Sequence, residues 1–392
     1  MNSINFKKDF HFGGLFFIMV LVAIIAVACQ PEKSVKKEHL ATAILVSADT
    51  VIPQAPVKDS HSTVAPTTFT IVGVGDMMLG TNYPSTAYLP PNGGRDLLAE
   101  VSALLSEADV TFGNLEGTIL DKGGTAKTCR NPDACYVFRS PESYAKHFVD
   151  AGFDFLSIAN NHSGDFGATG RTRTKEVLKE AGIAYAGLAG TDEYAVIERN
   201  GLRFGLCAFA PNSGTCSLNN IARAKEIVEE LNSKCDILLV SFHGGAEGAS
   251  HQHVPKKTEL FLGENRGNVY EFAHTMIDAG ADIIFGHGPH VTRAMELYKD
   301  RLICYSLGNF CTYGRFSLSG PAGLAPLVSV EVDSTGAFLS GQITATYQQK
   351  THGPKIDAQK RVISSIRELT KADFPQTPLL IDADGKLARK ED

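Results

Sequence analysis

Five apolar runs in this chain each end in a side chain able to ligate a metal or carry a proton. "TIVGVG" runs into Asp76, and "VTFG" into Asn114 with Glu116 close by. "FLSIA" runs into Asn160, Asn161 and His162, with Asp165 three residues on. "ILLVSF" runs into His243, with Glu247 following, and "ADIIFG" into His287 and His290. Short, nearly unbroken apolar runs bounded by glycine and polar residues read as strands buried on both faces. Such strands belong to sheets covered by helices, and ligands gather at the carboxyl ends of those strands. The pattern therefore predicts an α/β fold with its polar chemistry collected at one edge.

The segments between the runs have helical spacing. "GRDLLAEVSALLSEAD" places Leu97, Leu98, Val101, Leu104 and Leu105 on one helical face. "PESYAKHFVDAG" predicts a helix with Pro141 in its first turn and an end at Gly152. "GATGRTRTKEVLKEAG" predicts another, ending at Gly182. "NNIARAKEIVEELNSK" and "NVYEFAHTMIDAG" continue the alternation. Asn200-Gly201 is a favoured two-residue hairpin turn. The last quarter changes to antiparallel strands, with turns at Lys299-Asp300 and Ser334-Thr335-Gly336. Residues 67–350 are thus expected to form one domain. Residues 351–392 are polar apart from a helical piece around "QKRVISSIRELTK" and are expected to be a peripheral tail. No glycine fingerprint for a dinucleotide or P-loop nucleotide stands in a strand–helix context.

The beginning of the chain predicts export. Lys7 and Lys8 precede the uncharged run Gly13 to Ala28, and Cys29 follows it. A basic segment, an apolar segment and small residues before a cysteine resemble a bacterial lipoprotein signal, although Ala26 stands where leucine is usual. Residues 1–29 are read as a signal peptide with a lipidated Cys29. Residues 30–66, rich in Pro, Ser, Thr, Lys, Val and Ala, are read as a flexible tether. The expected location is the cell membrane or outer membrane, on the extracytoplasmic side. There cysteines can oxidise. Cys129 and Cys135, flanking "RNPDA", are the best candidate pair; Cys207 with Cys216 and Cys304 with Cys311 could form further local pairs, leaving Cys235 over. The absence of a CxxC argues against a thiolate zinc site, and a net charge of −6 without a basic block argues against nucleic acid.

Aspartate, asparagine, glutamate and histidine together make a mixed oxygen and nitrogen shell suited to Mn, Zn or Fe. Two such ions can polarise a phosphoryl or carbonyl oxygen and generate hydroxide from water. Each residue also has a plainer role open to it. Asp76 could serve a turn, Asn160 and Asn161 a helix cap, His243 the core, Asp165 a loop and Glu247 a solvated surface. Five coincident strand ends favour the common site.

"GVGDMMLG", "GNLEGTI", "FRSPESYAKHFVDAGFDFLSIANNHSGDFGATG", "SFHGGAEG" and "IFGHGPHVTRAMELYKDRLICYSLGNF", taken in that order, resemble the capsule-synthesis CapA proteins, also called PgsA. That family resembles the calcineurin-like metallophosphoesterases. The resemblance implies a four-layer α/β/β/α sandwich of the metallo-dependent phosphatase type, with one or two divalent ions between the sheets. It implies Asp76, Glu116, Asn161, His243, His287 and His290 as metal ligands and His162 as the catalytic histidine. Asn114, Asn160 and Glu247 are further candidates. The chain departs from the phosphoesterase pattern at Met77 and Met78, where Asp-x-His is usual, and in the two-residue spacing of His287 and His290. Pro289 can rigidify the turn that presents His290, which is expected to be the firmer ligand of the two. The implied function is capsule or poly-γ-glutamate biosynthesis, by a metal-dependent hydrolase or transferase acting on a phosphoester or a γ-glutamyl amide. The alternative is a non-catalytic polymer-binding or export subunit. Implied partners are an anionic capsular polymer or its precursors, the membrane through lipid on Cys29, and membrane-bound polymer-synthesis subunits.

Overall fold

Neighbouring residues on the central strands enter different cores, and this alternation sets the layers of the fold. The computed structural model describes residues 68–129 and 135–390. Its first sheet runs β19 (Leu379–Ile381), β20 (Lys386–Arg389), β17 (Phe338–Tyr347), β16 (Leu324–Asp333), β1 (Thr68–Met78), β2 (Val110–Leu115), β5 (Phe155–Ser157) and β6 (Ala184–Ala186). β15 (Asn309–Thr312) pairs with the end of β1, and β18 (Lys355–Ile356) with β17. The second sheet runs β13 (Met295–Tyr298), β14 (Arg301–Cys304), β12 (Ile283–His287), β9 (Ile237–His243), β8 (Leu202–Phe209) and β7 (Tyr194–Arg199). Two small ribbons complete the strands, β3 (Thr118–Ile119) with β4 (Arg139–Ser140) and β10 (Glu259–Phe261) with β11 (Glu264–Gly267).

Ile71, Phe112 and Phe155 of the first sheet share a core with Phe204, Leu239, Ile283 and Phe285 of the second. Their sequence neighbours face outward. Val72, Leu115 and Leu156 pack on Phe148 of α2 (Ala145–Asp150) and Val177 and Leu178 of α3 (Gly167–Glu180). Leu238, Val240 and Ile284 pack on Ile227 and Val228 of α4 (Ile221–Asn232) and Phe272 and Met276 of α5 (Val269–Asp278). Helix, sheet, sheet, helix is the four-layer order that the family resemblance implies. The sheets touch closely where Phe112 stacks on Phe285 at 5.4 Å. A Cβ at Gly73 would lie 2.4 Å from the Phe285 ring, so this approach requires glycine. Removing a ring of this kind from a packed core costs about 3–5 kcal/mol.

Side-chain caps fix where the outer helices begin. Asn220 accepts the Arg223 N–H at 3.2 Å for α4, and Asn268 accepts the Glu271 N–H at 3.3 Å for α5. Parallel pairing of β1, β2 and β5 brings their carboxyl ends to one edge, and β9 beside β12 does the same in the second sheet.

Three expectations are corrected. The segment after Gly94 is helical only over α1 (Ser102–Ser106), which buries Leu105 and exposes Leu104; Leu97, Leu98 and Val101 are buried through turns. There the Glu100 side chain accepts the Ile356 N–H at 2.9 Å, which fastens the turns of this segment to β18. The polar C-terminal segment is not peripheral. α6 (Arg361–Asp373) places Val362, Ile363 and Ile366 in the core between the sheets, and β19 and β20 extend the first sheet. Cys129 and Cys135 are joined in a disulfide, but the other two suggested pairs are not. Cys304 lies in the core between the sheets and Cys311 in the core outside the first sheet. Cys207 and Cys216 lie unbonded in the core under α4 and α5, and burial pushes the Cys216 thiol up to about 12. Residues 1–67, with the signal, Cys29 and tether, lie outside the described residues. Among the described residues no helix is long and apolar enough to cross a membrane.

Candidate metal centre

Strand register builds the site from two pairs. Asp76 is the register partner of Asn114 across β1 and β2, and His287 of His243 across β12 and β9. The two pairs meet between the sheets. Asn114 Nδ2 donates to Asp76 Oδ1 at 2.8 Å and lies 3.3 Å from His243 Nδ1. Asp76 Oδ1 approaches His287 Nδ1 at 3.3 Å, and Asp76 Oδ2 is 3.0 Å from His290 Nδ1. Glu116 follows β2, its N–H bound to the Met77 carbonyl at 2.9 Å. Its Oε1 lies 3.5 Å from His290 Nε2 and 3.9 Å from His162 Nε2. Asp76, Glu116 and His290 each offer a ligand atom within 4.8 Å of the others, a group able to hold a metal ion. His243 and His287 line the same edge without joining that tight trio.

His290 has φ +58°, a left-handed conformation that costs a non-glycine residue of order 1–3 kcal/mol. Its carbonyl accepts from Asn309 Nδ2 at 3.2 Å, and the same amide donates to the Ala322 carbonyl at 3.1 Å. Asn309 is the register partner of Asp76 on β15, so it stands on the same face. The search for polar groups at strand carboxyl ends missed it because it opens its strand. Its signal was the Gly-Asn that follows the apolar "YSL".

The other sequence candidates surround this core. Asn160 donates to the Leu115 carbonyl at 2.8 Å and to Asn114 Oδ1 at 3.2 Å, and accepts the His162 N–H at 3.1 Å. It holds the strand ends together rather than facing the ligand trio. Asp165 Oδ2 is 2.8 Å from His162 Nδ1 and accepts the Phe138 N–H at 2.6 Å, while its Oδ1 is 2.6 Å from Lys127 Nζ. Glu247 stands 3.1 Å from the buried Arg266, a guanidinium that nothing in the motif spacing revealed.

The fit to a cation rests on atoms left without partners. Both Glu116 oxygens, Asn161 Oδ1, His243 Nε2 and both His287 ring nitrogens are buried and make no hydrogen bond. Proteins pair nearly all such groups, so this concentration at one edge needs a further ligand. Carboxylate, amide oxygen and imidazole suit a divalent ion. Burial pushes the Glu116 carboxyl well up. Burial acts likewise on Asp76, but the adjacent imidazoles of His287 and His290 outweigh it and hold that carboxyl well below the usual range. For His290, burial works against the charged ring, yet Glu116 and Asp76 lift it to about 10. Burial pushes His243 well down, and lowers His162 against the opposing pull of Asp165.

The family model for the bacterial capsule synthesis protein PGA_cap matches residues 70–313. The capsule biosynthesis protein CapA of Bacillus anthracis is 32% identical over 262 residues, covering 62% of this chain and 59% of that protein. The PGA biosynthesis protein CapA of Bacillus subtilis is 26% identical over 318 residues, covering 76% of this chain and 77% of that protein. The match thus spans about three fifths of the length of the Bacillus anthracis relative. Among solved structures, a 5'-nucleotidase precursor from Thermus thermophilus aligns with a TM-score of 0.41 at 14% identity, over 78% of this chain and 59% of that one.

Proposed function

We infer the role of this chain from two facts: it belongs to the PGA_cap family of bacterial capsule synthesis proteins, and the edge where its sheets meet leaves a set of buried ligand atoms without partners. The reading is a metal-dependent hydrolase or transferase of the cell envelope, acting on an anionic capsular polymer or its precursors. The observation that carries it is Glu116, fully buried with both oxygens unpartnered beside Asp76 and His290. Asp76, Glu116 and His290 would hold a divalent ion, manganese, zinc or iron, with His243, His287 and Asn161 Oδ1 as donors to it or to a second. When bound, such ions supply Lewis-acid polarisation of a phosphoryl or carbonyl oxygen and acidify a water.

The chain's own residues do the rest. Asp165 accepts a hydrogen bond from the Nδ1–H of His162 at 2.8 Å, which leaves Nε2 unprotonated and directed at the Glu116 side of the site. Burial keeps that ring neutral near pH 7, so Nε2 can receive a proton and pass it to a leaving group. Asn114 and Asn160 lock the strand ends, so the ligand atoms need no rearrangement on loading. A phosphoester and a γ-glutamyl amide both present an oxygen that this arrangement can polarise. Export and anchoring through lipid on Cys29 belong to the same proposal.

A second reading is a polymer-binding or export subunit without turnover. It is favoured by Met77 and Met78, which are buried where the phosphoesterase motif has a ligand histidine. Protein purified without chelator is expected to carry manganese, zinc or iron at near-stoichiometric levels by elemental analysis. No metal, together with stability unchanged on adding manganese or zinc, would sink the enzyme reading. Metal without hydrolysis of phosphoesters or γ-glutamyl peptides would leave the binding role.

A further inference from the structure

Four rings arch over Glu116. The two imidazoles that approach its Oε1 each carry a phenyl ring on another side. Phe138 lies 4.3 Å from the His162 ring, and Phe316 stands edge-on to His290 at 5.5 Å. The phenyl rings stack on each other at 5.0 Å, closing the arch. The two sides of the arch are held differently. Phe138 is buried and its N–H is fixed by Asp165. Phe316 is half-buried on the segment between β15 and the turn Gly320–Gly323, and among the described residues the aromatic rings it meets are those of Phe138 and His290.

Arg315, next to Phe316, sets the chemistry. Its guanidinium lies over the rings of Tyr88 and Tyr136, at 5.2 and 5.3 Å from their centroids. Both tyrosines are partly exposed. Among the described residues Arg315 has no carboxylate partner. The neighbouring cations of the site are already matched, Lys127 by Asp165 at 2.6 Å and Arg266 by Glu247 at 3.1 Å. A guanidinium resting on ring faces keeps its in-plane N–H groups free, and their fork fits a carboxylate. Ring contact at an exposed site is weaker than a charge-assisted pair, so a carboxylate arriving in that plane gains more than the arginine loses.

We propose that Arg315 and Phe316 form the substrate-reading subsite of this centre: Arg315 takes a carboxylate of a chain-like acidic substrate, and Phe316 packs on the apolar atoms beside that carboxylate. This rests on the reading that the site handles an anionic polymer. It adds the residues that would read such a substrate: a guanidinium for the carboxylate and a phenyl ring for a short methylene stretch beside it, a pairing that a γ-linked glutamate chain presents.

The test is binding by the full chain loaded with manganese. The probes are a fluorescent γ-linked glutamate decamer and the same decamer with its carboxylates amidated. Arg315→Met keeps the apolar stem and should weaken the acidic decamer about tenfold to a hundredfold, while the amidated decamer binds Arg315→Met and wild type alike. Phe316→Ala should weaken both probes, because it removes packing rather than charge. Manganese content measured alongside should stay at the wild-type level, which separates a lost subsite from a damaged centre. If wild type binds the decamer and both variants bind it equally well, this subsite is wrong and the polymer reading stands. If wild type does not bind the decamer at all, the polymer reading falls and this assignment falls with it. Loss of metal in Arg315→Met would also overturn it, by placing the arginine in the framework.

Discussion

Two clusters of buried charge lie three residues apart along the chain and have opposite characters. Arg293 is fully buried, and each of its three guanidinium nitrogens is hydrogen-bonded. Its Nη1 and Nη2 grip Glu259 at 2.8 and 2.7 Å, Nε donates to the His251 carbonyl at 2.8 Å, and Nη2 also reaches the Ala246 carbonyl at 3.2 Å. Glu259 in turn accepts the Ala246 N–H at 3.0 Å. Around His290 the carboxylate of Glu116 is as deeply buried and has no hydrogen bond at all. The first cluster ties the loop after His243 to the segment that follows His290, and so frames the second. Complete pairing marks the frame, and missing pairs mark the place where something else binds.

The largest expected effect breaks the frame. Glu259→Ala leaves Arg293 buried without its counter-charge and should cost about 3–5 kcal/mol in a urea unfolding curve. Glu116→Gln is the opposite case. In chelator it replaces a buried carboxyl that accepts no hydrogen bond and that burial holds well up, so its unfolding midpoint should equal or exceed that of wild type. Equal losses in the two variants would erase the contrast.

Asp282 lies between the extremes and sharpens the comparison through pH. It accepts the Leu238 N–H at 2.8 Å and pairs with Arg301 at 2.8 Å, yet burial dominates and lifts its carboxyl from 3.8 to about 6. The native state therefore holds this proton more tightly than the unfolded chain. Its destabilising effect is absent below pH 3.8, grows through the interval and is complete above about 6. Asp282→Asn stays neutral throughout. Its stability relative to wild type should rise between pH 4 and 7 by on the order of 3 kcal/mol. A constant difference across that range would show that its two partners satisfy the charge after all.

Loading the unpaired centre should produce a smaller gain. Manganese at a hundredfold its Kd should stabilise wild type by about 2.7 kcal/mol and leave Asp76→Asn unmoved, read by thermal unfolding. His290→Ala should lose more metal affinity than His287→Ala, because His290 shares the tight trio with Asp76 and Glu116. The reverse order would move the ligand assignment to the strand end.

The two clusters also differ in how far the sequence exposed them. Strand-end residues such as Asp76, His243 and His287 were legible because parallel strands are unbroken apolar runs and their carboxyl ends are fixed by the fold. The layer order came only with the family resemblance, because the runs alone say that sheets are covered by helices and not how two sheets stack. Arg293 and Glu259 were not legible, since their partnership joins a loop to the first residue of the short strand β10 and leaves no periodic trace. Phe138 and Phe316 escaped for the same reason, as an aromatic residue after a turn reads as core until its neighbour is known. The C-terminal segment misled because its apolar residues are few. Val362, Ile363 and Ile366 suffice to seat one helix, and β19 and β20 are too short to announce themselves.

The smallest expected effect falls on the joint between the clusters. Asn309 holds the carbonyl of His290 in its left-handed turn, and its Oδ1 is buried without a partner. If this amide belongs to the frame, Asn309→Ala should cost about 1 kcal/mol in chelator, the usual worth of a hydrogen bond, and metal affinity should fall only in proportion. If it positions the ligand, stability in chelator should change little while manganese affinity falls roughly 10–100-fold, as removal of an orienting partner does elsewhere. The strained φ of His290 favours the second outcome, because a turn released from Asn309 can relax toward ordinary geometry and carry its imidazole away from Asp76 and Glu116. Calorimetric titration of manganese into Asn309→Ala, set beside its unfolding curve in chelator, separates the two.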